Sequence, residues 1–392
     1  MCRPIGTSLS NLSWYPMHKL LLALLLTIAT SAHAASLFTF SNQPGAHGVG
    51  VRYVKQYDHS RRFKQRASWL GKVAPADSAR PIQTVIWYPA EKGGKNVRYD
   101  DYLSLLGWET DFNGTPREQA GLVDAWIKMV TEGKRAAQVE HERRKPMWAV
   151  REAAPVKGKF PVVIYAPSIN NTAFENADLA EFLASHGYIV IASPTIGAAG
   201  RYIKWNLAHA EMQAADIRFL IDYARSLPQA DMSRVAAAGF SWGGMTNVLA
   251  ASKDARIKAL VSMDGALRYY NSLVVQAKYA VPENLRTPLL YLAQSPASIE
   301  ENVRIEQDLT GSFISRMTNA DVYKLTMYPM AHVHFGSSFI RFDDGADYKE
   351  YTPEEVSVAY SLGARYVLNF LNGYLKGDAS GLAFLSNRPV KN

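Results

Sequence analysis

Ser241 is the residue whose surroundings best suit nucleophilic chemistry. It lies between Gly239 and Gly243 in the sequence Gly-Phe-Ser-Trp-Gly, which has the G-x-S-x-G spacing of a nucleophile elbow. In such an elbow a strand turns sharply into a helix, and the glycines avoid the clash that a Cβ would cause. A small apolar run at residues 235–238 suits a buried strand, and residues 245–252 suit a helix. This context favours an activated serine over a glycine-rich turn with an idle serine.

Asp264 is the expected acid partner of this serine. A serine hydroxyl is a poor nucleophile at neutral pH, so it needs a base, and the base needs an orienting acid. After a nucleophile elbow, the acid is the next member along the chain and the histidine is the last. Asp264 ends a predicted strand at residues 257–263, whereas Glu300 and Glu301 follow the next one. The alternative interpretation of Asp264 is a turn aspartate that precedes a glycine.

Two histidines compete for the role of the base. His332 and His334 both follow the last predicted strand, at residues 322–328. Residues two apart on an extended loop point in roughly opposite directions, so only one histidine is expected to reach Ser241. The other is expected to face solvent or the strand edge, or to contribute to substrate binding.

Two backbone N–H groups are the expected donors to the oxyanion of the reaction intermediate. Trp242 follows the nucleophile, and Ile169 lies in the loop after the predicted central strand, where the second donor is needed. Asn170 and Asn171 in the same loop are candidates for substrate binding, although ordinary turn formation explains them equally well. Three aromatic residues near predicted strand ends are further pocket candidates, with surface or packing roles as the alternative: Trp205, Tyr269 and Tyr270.

Alternating strands and helices are predicted to position these residues. Continuous apolar runs indicate buried strands, and amphipathic segments between them indicate helices. The expected strands are residues 48–57, 82–88, 160–166, 188–193, 235–238, 257–263, 288–293 and 322–328. The expected helices are residues 175–186, 208–227, 245–252 and 353–375. The pattern predicts an α/β fold with a mostly parallel central sheet, two antiparallel strands at its start and helices on both faces.

Residues 91–157 are expected to form a helical insertion before the third strand. Residues 101–108 and 117–139 have helical composition. Leu122, Trp126, Val130 and Ala137 form a broken apolar face. Two interpretations of the insertion remain open: it covers an edge of the sheet, or it forms a lid over the site.

The N-terminal residues 1–34 predict a signal peptide. Lys19 provides a basic start, residues 20–28 are apolar, and Ala32-His33-Ala34 offers a small-residue cleavage site. Residues 1–16 are then an upstream extension. The apolar run is too short for an ordinary transmembrane helix, although an uncleaved anchor is the alternative. We therefore expect a periplasmic or secreted mature chain of residues 35–392, forming a single domain with no stable membrane span.

Composition excludes several classes of site from this mature chain. The only cysteine, Cys2, lies in the predicted signal peptide, so no disulfide, thiolate nucleophile or cysteine metal site is expected. The formal net charge of the whole chain is +8. The positive residues are dispersed, which predicts a solvated surface and no nucleic-acid binding. His332 and His334 lack the carboxylate or H-E-x-x-H context of a metal site, and no dinucleotide fingerprint occurs. We expect no metal and no cofactor.

Between about residues 160 and 339 the chain resembles α/β-hydrolases of the dienelactone hydrolase-like and platelet-activating-factor acetylhydrolase-like group. The segments Phe-Pro-Val-Val-Ile-Tyr, Leu-Ala-Ser-His-Gly-Tyr-Ile-Val and Gly-Phe-Ser-Trp-Gly-Gly occur in the acetylhydrolase order, and the spacing of Ser241 and Asp264 is similar. The His-x-x-Phe context of the group's base matches His332 and Phe335, which favours His332. The loop Pro-Ser-Ile-Asn here replaces the group's His-Gly-Leu-Gly. Dienelactone hydrolases proper use a cysteine nucleophile, so their activity is not implied.

These residues and this resemblance predict an exported serine hydrolase. It would cleave carboxylic esters through Ser241, His332 and Asp264 by way of an acyl-enzyme, with a small-molecule or lipid-like ester as substrate. A serine peptidase on the same scaffold is one alternative. A non-catalytic binding protein that retains the fold is another.

Overall fold

The computed structural model describes residues 38–64, 78–131, 136–268, 271–294, 312–343, 348 and 350–386. The chain divides into two compact units, Met1–Ala35 and Ser36–Asn392, and every described residue belongs to the second. The predicted signal peptide therefore lies outside the described residues. So do four residues considered above: Tyr269, Tyr270, Glu300 and Glu301.

The strands of the described residues form one ten-stranded sheet in the order β10-β9-β8-β7-β5-β6-β2-β1-β4-β3. They are β1 (Gly48–Phe63), β2 (Ser78–Ala90), β3 (Asn96–Arg98), β4 (Pro146–Arg151), β5 (Phe160–Ala166), β6 (Ile189–Ala192), β7 (Ala230–Phe240), β8 (Ile257–Met263), β9 (Leu289–Gln294) and β10 (Val322–Met327). Pairing is parallel from β10 through β6. Strand β2 is antiparallel to both β6 and β1. The predicted sheet, mostly parallel with an antiparallel start, is confirmed.

Helices cover both faces of this sheet. They are α1 (Tyr99–Leu103), α2 (Pro116–Thr131), α3 (Ala136–Arg144), α4 (Ala177–Ser185), α5 (Leu207–Ala224), α6 (Trp242–Ala251), α7 (Asn271–Gln276), α8 (Ser312–Ser315), α9 (Ser337–Arg341), α10 (Pro353–Lys376) and α11 (Ala379–Ser386), with 3-10 turns at Ser104–Trp108, Pro282–Asn284 and His332–Phe335. No helix among these is long and apolar enough to cross a membrane.

The central strand β5 separates two hydrophobic cores. Because successive side chains of a strand point to opposite faces, Val163 packs into one core and Ile164 into the other. Helices α4 and α10 cover the first core, with Leu179 and Phe370 as buried members. Helices α5 and α6 cover the second. Parallel strands buried on both faces in this way require the continuous apolar runs seen in the sequence.

The insertion at residues 91–157 differs from the prediction because it contains strands as well as helices. Strand β4 pairs in parallel with β1, and β3 pairs antiparallel with β4, so the insertion extends the sheet at that edge. Strand β5 is therefore the fifth strand along the chain and not the third. The charged sequence around β4 carries no clear strand periodicity, and pairing with β1 determines its conformation.

Buried ion pairs attach the insertion to the rest of the domain. The guanidinium of Arg341 lies 2.8 Å from Glu142 of α3 and 2.5 Å from Asp178 of α4. All three side chains are buried, and the Arg341 guanidinium also lies 4.7 Å from the ring centroid of Tyr99. A second ion pair, between Arg143 and Asp100, lies at the protein surface and joins two helices within the insertion.

Candidate active site

Ser241 lies at the turn between β7 and α6, as the G-x-S-x-G spacing predicts. Its backbone has φ 52° and ψ −115°, an uncommon conformation for a residue with a side chain. Two hydrogen bonds hold it there: the Ser241 N–H donates to the Met263 carbonyl, and the Ala266 N–H donates to the Ser241 carbonyl, each at 2.9 Å. Backbone strain that the surrounding structure holds in place is typical of functional sites.

The two glycines of the motif allow the backbone to pack tightly around this turn. A Cβ on Gly239 would lie 2.6 Å from the carbonyl carbon of Gly243. A Cβ on Gly243 would lie 2.6 Å from the carbonyl carbon of Ala166, at the end of β5. Both contacts are closer than real Cβ atoms allow, and both involve backbone atoms, which have little freedom to move. The glycines therefore bring the serine close to the loop that follows β5.

Ser241, His332 and Asp264 are joined by two hydrogen bonds. The His332 Nε2 atom lies 2.9 Å from Ser241 Oγ, and His332 Nδ1 lies 2.6 Å from Asp264 Oδ2. An ionised carboxylate only accepts hydrogen bonds, so Nδ1 carries the proton and Nε2 is free to accept one from the serine. Asp264 is fully buried, whereas the His332 side chain is 36% exposed. The arrangement places a base within reach of the hydroxyl and an acid behind the base.

Asp264 is held by several neighbours in a fixed orientation. It has a positive φ of 39°, and its N–H donates to the Leu292 carbonyl at 2.6 Å. Its Oδ1 atom accepts a hydrogen bond from the Gln294 N–H at 3.0 Å, with the Arg268 guanidinium 4.0 Å away. One oxygen therefore faces β9 and the other faces His332. Asp264 is a turn residue as well as the partner of the histidine.

His334 occupies a different environment from His332. The predicted extended loop is a 3-10 turn, His332–Phe335, in which residues two apart differ by about 240° in direction. His334 is fully buried, its Nδ1 accepts from the Ala331 N–H at 3.0 Å, and its ring stacks on Tyr348. The expectation that His334 faces solvent or the strand edge is wrong. His334 stabilises the turn that carries His332.

The ring of Phe240 packs against the 3-10 turn His332–Phe335, which we call the histidine turn. Phe240, which precedes the nucleophile, has its ring centroid 5.0 Å from that of His332 and 6.3 Å from that of Phe335. Phe335 is buried, as expected for a residue that packs beneath the loop. These aromatic contacts connect the end of β7, just before Ser241, to the turn that carries His332.

The backbone N–H groups of Trp242 and Ile169 are the predicted oxyanion donors. Within the described part of the chain, neither donates a hydrogen bond. Trp242 is the first residue of α6, where N–H groups have no partner inside the helix and the helix dipole favours negative charge. Ile169 lies in the loop after β5, beside the elbow glycines. Both groups have the character that an oxyanion hole requires.

The side chains of the two asparagines of this loop make hydrogen bonds within the protein. Asn170 has a positive φ of 55°, and its Oδ1 accepts from the Ile203 N–H at 2.6 Å. Asn171 Oδ1 accepts from the Thr172 N–H at 2.8 Å, and its Nδ2 donates to Ser168 Oγ at 3.2 Å. Both side chains thus hold the loop in shape. Asn170 additionally borders the large cavity described below.

Glu175 is a buried carboxyl near the site that sequence reasoning missed. It accepts hydrogen bonds from the Ser168 N–H at 2.9 Å and the Tyr165 hydroxyl at 2.8 Å, and it also contacts the Ser168 hydroxyl. Burial raises the pKa of Glu175 to about 7, against the lowering effect of these donors and of nearby His332. In the sequence it resembles any acidic residue at the start of a helix.

Asn176 connects the loop after β5 to the histidine turn. Its Nδ2 donates to the Phe335 carbonyl at 2.9 Å, and its Oδ1 accepts from the Ser337 N–H at 2.9 Å. Because Asn176 also contacts the Tyr165 hydroxyl that binds Glu175, one buried network supports both loops. The network links Ser168, the residue before Ile169, to the turn that carries His332.

Two further predictions concern aromatic residues and metals. Trp205 is partly exposed, and its ring packs edge-on against Trp242, with centroids 5.1 Å apart. Tyr269 and Tyr270 lie outside the described residues. No cluster of three or more His, Cys, Asp or Glu side chains that could hold a metal occurs in the described part of the chain.

A protein-family model described as X-Pro dipeptidyl-peptidase (S15 family) matches residues 129–314. This segment covers less than half of the chain. It contains Ser241 and Asp264 but ends before His332.

Two individual proteins are also similar to the chain. A Synechocystis sp. protein, provisionally named a carboxymethylenebutenolidase, is 32% identical over an alignment 130 residues long that covers 29% of this chain and 52% of that protein. The chain thus spans about half the length of this curated relative. The solved structure of a ferulic acid esterase from Streptomyces cinnamoneus matches with a TM-score of 0.62 and 19% identity, covering 90% of this chain and 96% of that one.

The architecture and these matches show that the chain is an α/β-hydrolase in fold. The resemblance to the dienelactone hydrolase-like group predicted this fold, and it is confirmed. At 19% identity the esterase structure shows the fold alone. The matches support a hydrolase, and the reaction that it catalyses depends on the residues of the site.

Proposed function

We propose that this chain is a serine hydrolase that cleaves carboxylic esters through Ser241, His332 and Asp264. The observation that carries the proposal is the continuous hydrogen-bonded path from Asp264 through His332 to Ser241 Oγ, with the serine on a strained turn. Nucleophile, base and orienting acid are recognised by such geometry and not by their positions in the sequence. The substrate would be a small-molecule or lipid-like ester, and the reaction needs no cofactor.

The first half of the reaction forms an acyl-enzyme. Ser241 Oγ attacks the acyl carbon while His332 Nε2 takes the hydroxyl proton, and Asp264 stabilises the imidazolium that results. The N–H groups of Trp242 and Ile169 stabilise the oxyanion of the tetrahedral intermediate. His332 then gives the proton to the leaving alcohol as the C–O bond of the ester breaks.

Water completes the cycle in the second half. His332 removes a proton from a water molecule, whose oxygen attacks the acyl carbon and forms a second tetrahedral intermediate. The intermediate collapses, the carboxylic acid leaves, and Ser241 recovers its proton from His332. The same N–H groups serve both halves because the oxyanion forms at the same carbonyl oxygen.

Hydrolysis of a panel of p-nitrophenyl esters, measured beside amide reporters, tests this proposal. The panel should include X-Pro amides, because the S15 match makes a serine peptidase the specific rival. We expect kcat/KM for the best ester to exceed that for any amide by at least a hundredfold. Cleavage of an X-Pro amide at a comparable rate would assign the chain to the peptidases, with the same three residues in the same roles.

We further propose that the protein is exported after cleavage near Ala34. The support is the order of basic, apolar and small residues in residues 17–34. N-terminal sequencing of the protein recovered from periplasm or culture medium tests this. A mature terminus near Ala35 is expected, and a membrane-retained chain that keeps residues 17–34 would contradict it.

A further inference from the structure

A cavity of about 450 Å³ lies between the insertion and the loops after β5 and β6. Leu106, Leu122, Trp126 and Met129 of the insertion line one side of it. Asn170 and Tyr202 line the other. A mostly apolar concavity of this size is typical of small-molecule sites, and part of its wall is built from the segment that precedes β5.

One residue of the cavity wall follows the proposed oxyanion donor Ile169 in the sequence. Asn170, which borders the cavity, is the neighbour of Ile169, and consecutive Cα atoms are about 3.8 Å apart. The loop that carries Tyr202 continues to Trp205, whose ring contacts that of Trp242. Both proposed oxyanion donors are therefore connected to cavity walls, one by the chain and the other by ring packing.

The charged side chains in the cavity wall neutralise each other. Arg201 forms an ion pair with Glu109 and donates to the Asn170 carbonyl at 3.2 Å. Burial lowers the pKa of Arg201 to about 10, which still leaves it charged at neutral pH. A charged ligand group would lose its hydration here without gaining a free counter-ion, so the cavity disfavours it.

Exposed apolar side chains surround the same cavity. Met129 is 61% exposed and Tyr202 is 62% exposed, although both contribute to its lining. Trp205, three residues after Tyr202, is 46% exposed. Large apolar side chains gathered at one place on a surface mark a site that a ligand or partner covers. The occupant is therefore expected to be apolar.

We infer that this cavity is the subsite for a large, uncharged, apolar substituent of the ester that Ser241 cleaves. The inference rests on the proposed function and adds the substrate class to it. The substituent belongs either to the acyl part or to the alcohol part of the ester. The insertion, which the sequence allowed as an edge cover or a lid, takes part in binding through Leu122, Trp126 and Met129.

The substitution Ala125→Trp tests the subsite without removing a packed side chain. Ala125 lines the cavity from the exposed face of α2, so an indole there would occupy space that the substituent needs. Ala383→Trp is the matched control, because Ala383 is also an exposed alanine in a helix but does not line the cavity. We expect Ala125→Trp to reduce kcat/KM at least tenfold, mainly through KM, for the long ester of one series: p-nitrophenyl octanoate if the cavity holds the acyl chain, or octyl acetate if it holds the alcohol. The value for methyl acetate should change less than twofold, and Ala383→Trp should change none of these values.

Two substrate series decide which part of the ester the cavity holds. One series varies the acyl chain of p-nitrophenyl esters, and the other varies the alcohol of acetate esters from methyl to octyl. Ala125→Trp should affect the long members of one series. In that series, a terminal carboxylate on the long chain should lower kcat/KM for the wild type at least tenfold.

The outcomes separate the two proposals. If the wild type hydrolyses these esters but Ala125→Trp affects the long members no more than the short members in either series, the subsite is refuted and the hydrolase proposal stands. A carboxylate that improves the long substrate would likewise refute it. If the wild type hydrolyses no ester in either series, the proposed function itself fails.

Discussion

At the residue scale, His332 and His334 show how placement decides the role of identical side chains. His332 is partly exposed and lies between Ser241 and Asp264. His334 is buried two residues later, accepts from the Ala331 N–H and lies 3.3 Å from Asp343. One imidazole lies within hydrogen-bond distance of the proposed nucleophile, and the other holds the turn.

Substituting the two histidines separately distinguishes these roles. His332→Ala should lower kcat/KM on p-nitrophenyl acetate at least a hundredfold and leave the melting temperature nearly unchanged, because general-base catalysis is lost. His334→Ala should lower the melting temperature, with less than a tenfold loss of kcat/KM per folded molecule. A larger catalytic loss from His334→Ala in fully folded protein would reverse the assignment.

The proximity of the three proposed catalytic residues was predictable because the reaction restricts their types and their order along the chain. Ser241, Asp264 and His332 follow from the elbow, the strand ends and the His-x-x-Phe resemblance, and the structure brings them together. Glu175 and Asn176 were not predictable, since only the packing of α4, the loop after β5 and the histidine turn buries them. The expected solvent exposure of His334 failed for the same reason.

At the element scale, Arg341 joins three helices that sequence reasoning could not connect. It contacts Glu142 in α3 and Asp178 in α4, and itself ends α9. Removing one member of a buried ionic group leaves the others desolvated without a counter-ion, which usually costs about 3–5 kcal/mol. These contacts anchor the C-terminal part of the insertion close to the helix that follows the histidine turn.

Urea unfolding of Arg341→Ala and Arg316→Ala tests the anchoring contribution. Arg341→Ala should reduce the free energy of unfolding by about 3–5 kcal/mol. Arg316 pairs with Glu283 at 2.7 Å on the surface, so Arg316→Ala should change the stability little. Equal, small effects of both substitutions would show that the insertion does not depend on this buried group.

The order of the main strands and helices was predictable, although β1 and β7 extend six and five residues beyond their predicted ranges, whereas the insertion was not predictable. Buried parallel strands such as β5 and β8 require uninterrupted apolar runs, and these are visible in the sequence. Strands β3 and β4 are short and flanked by charged residues, so pairing with a distant strand determines their conformation. Likewise, the 3-10 turn at His332–Phe335 depends on contacts with Phe240 and Asn176.

At the scale of the whole molecule, two buried carboxyls make the stability of the fold depend on pH. Glu181 accepts hydrogen bonds from the Tyr102 hydroxyl and the Trp148 N–H, each at 2.6 Å, and nearby Asp178 repels its charge. Burial is the largest effect, and it raises the pKa of Glu181 to about 7, the same value as for Glu175. Both carboxyls bind protons more tightly in the folded chain than in the unfolded chain.

Glu181→Gln should reduce the loss of stability that accompanies rising pH. Between about pH 4.5 and 7 the unfolded chain releases the Glu181 proton and the folded chain retains it, so this group's stabilisation is full below 4.5 and is lost through 7. The change for one such carboxyl is about 3 kcal/mol. The difference between the unfolding free energies of the variant and the wild type at each pH cancels the contributions of the other titrating groups. A difference that stays constant from pH 4.5 to 8 would contradict the raised pKa.

The claim that Ser241 is the nucleophile is tested most directly by labelling with a fluorophosphonate probe, followed by peptide mapping. The probe forms a covalent bond with a serine only where a base and an oxyanion hole activate it. The wild type should carry one label, on the peptide that contains Ser241. Ser241→Ala should carry none while keeping the wild-type circular dichroism spectrum. Equal labelling of the two proteins, or a label on another serine, would contradict the account.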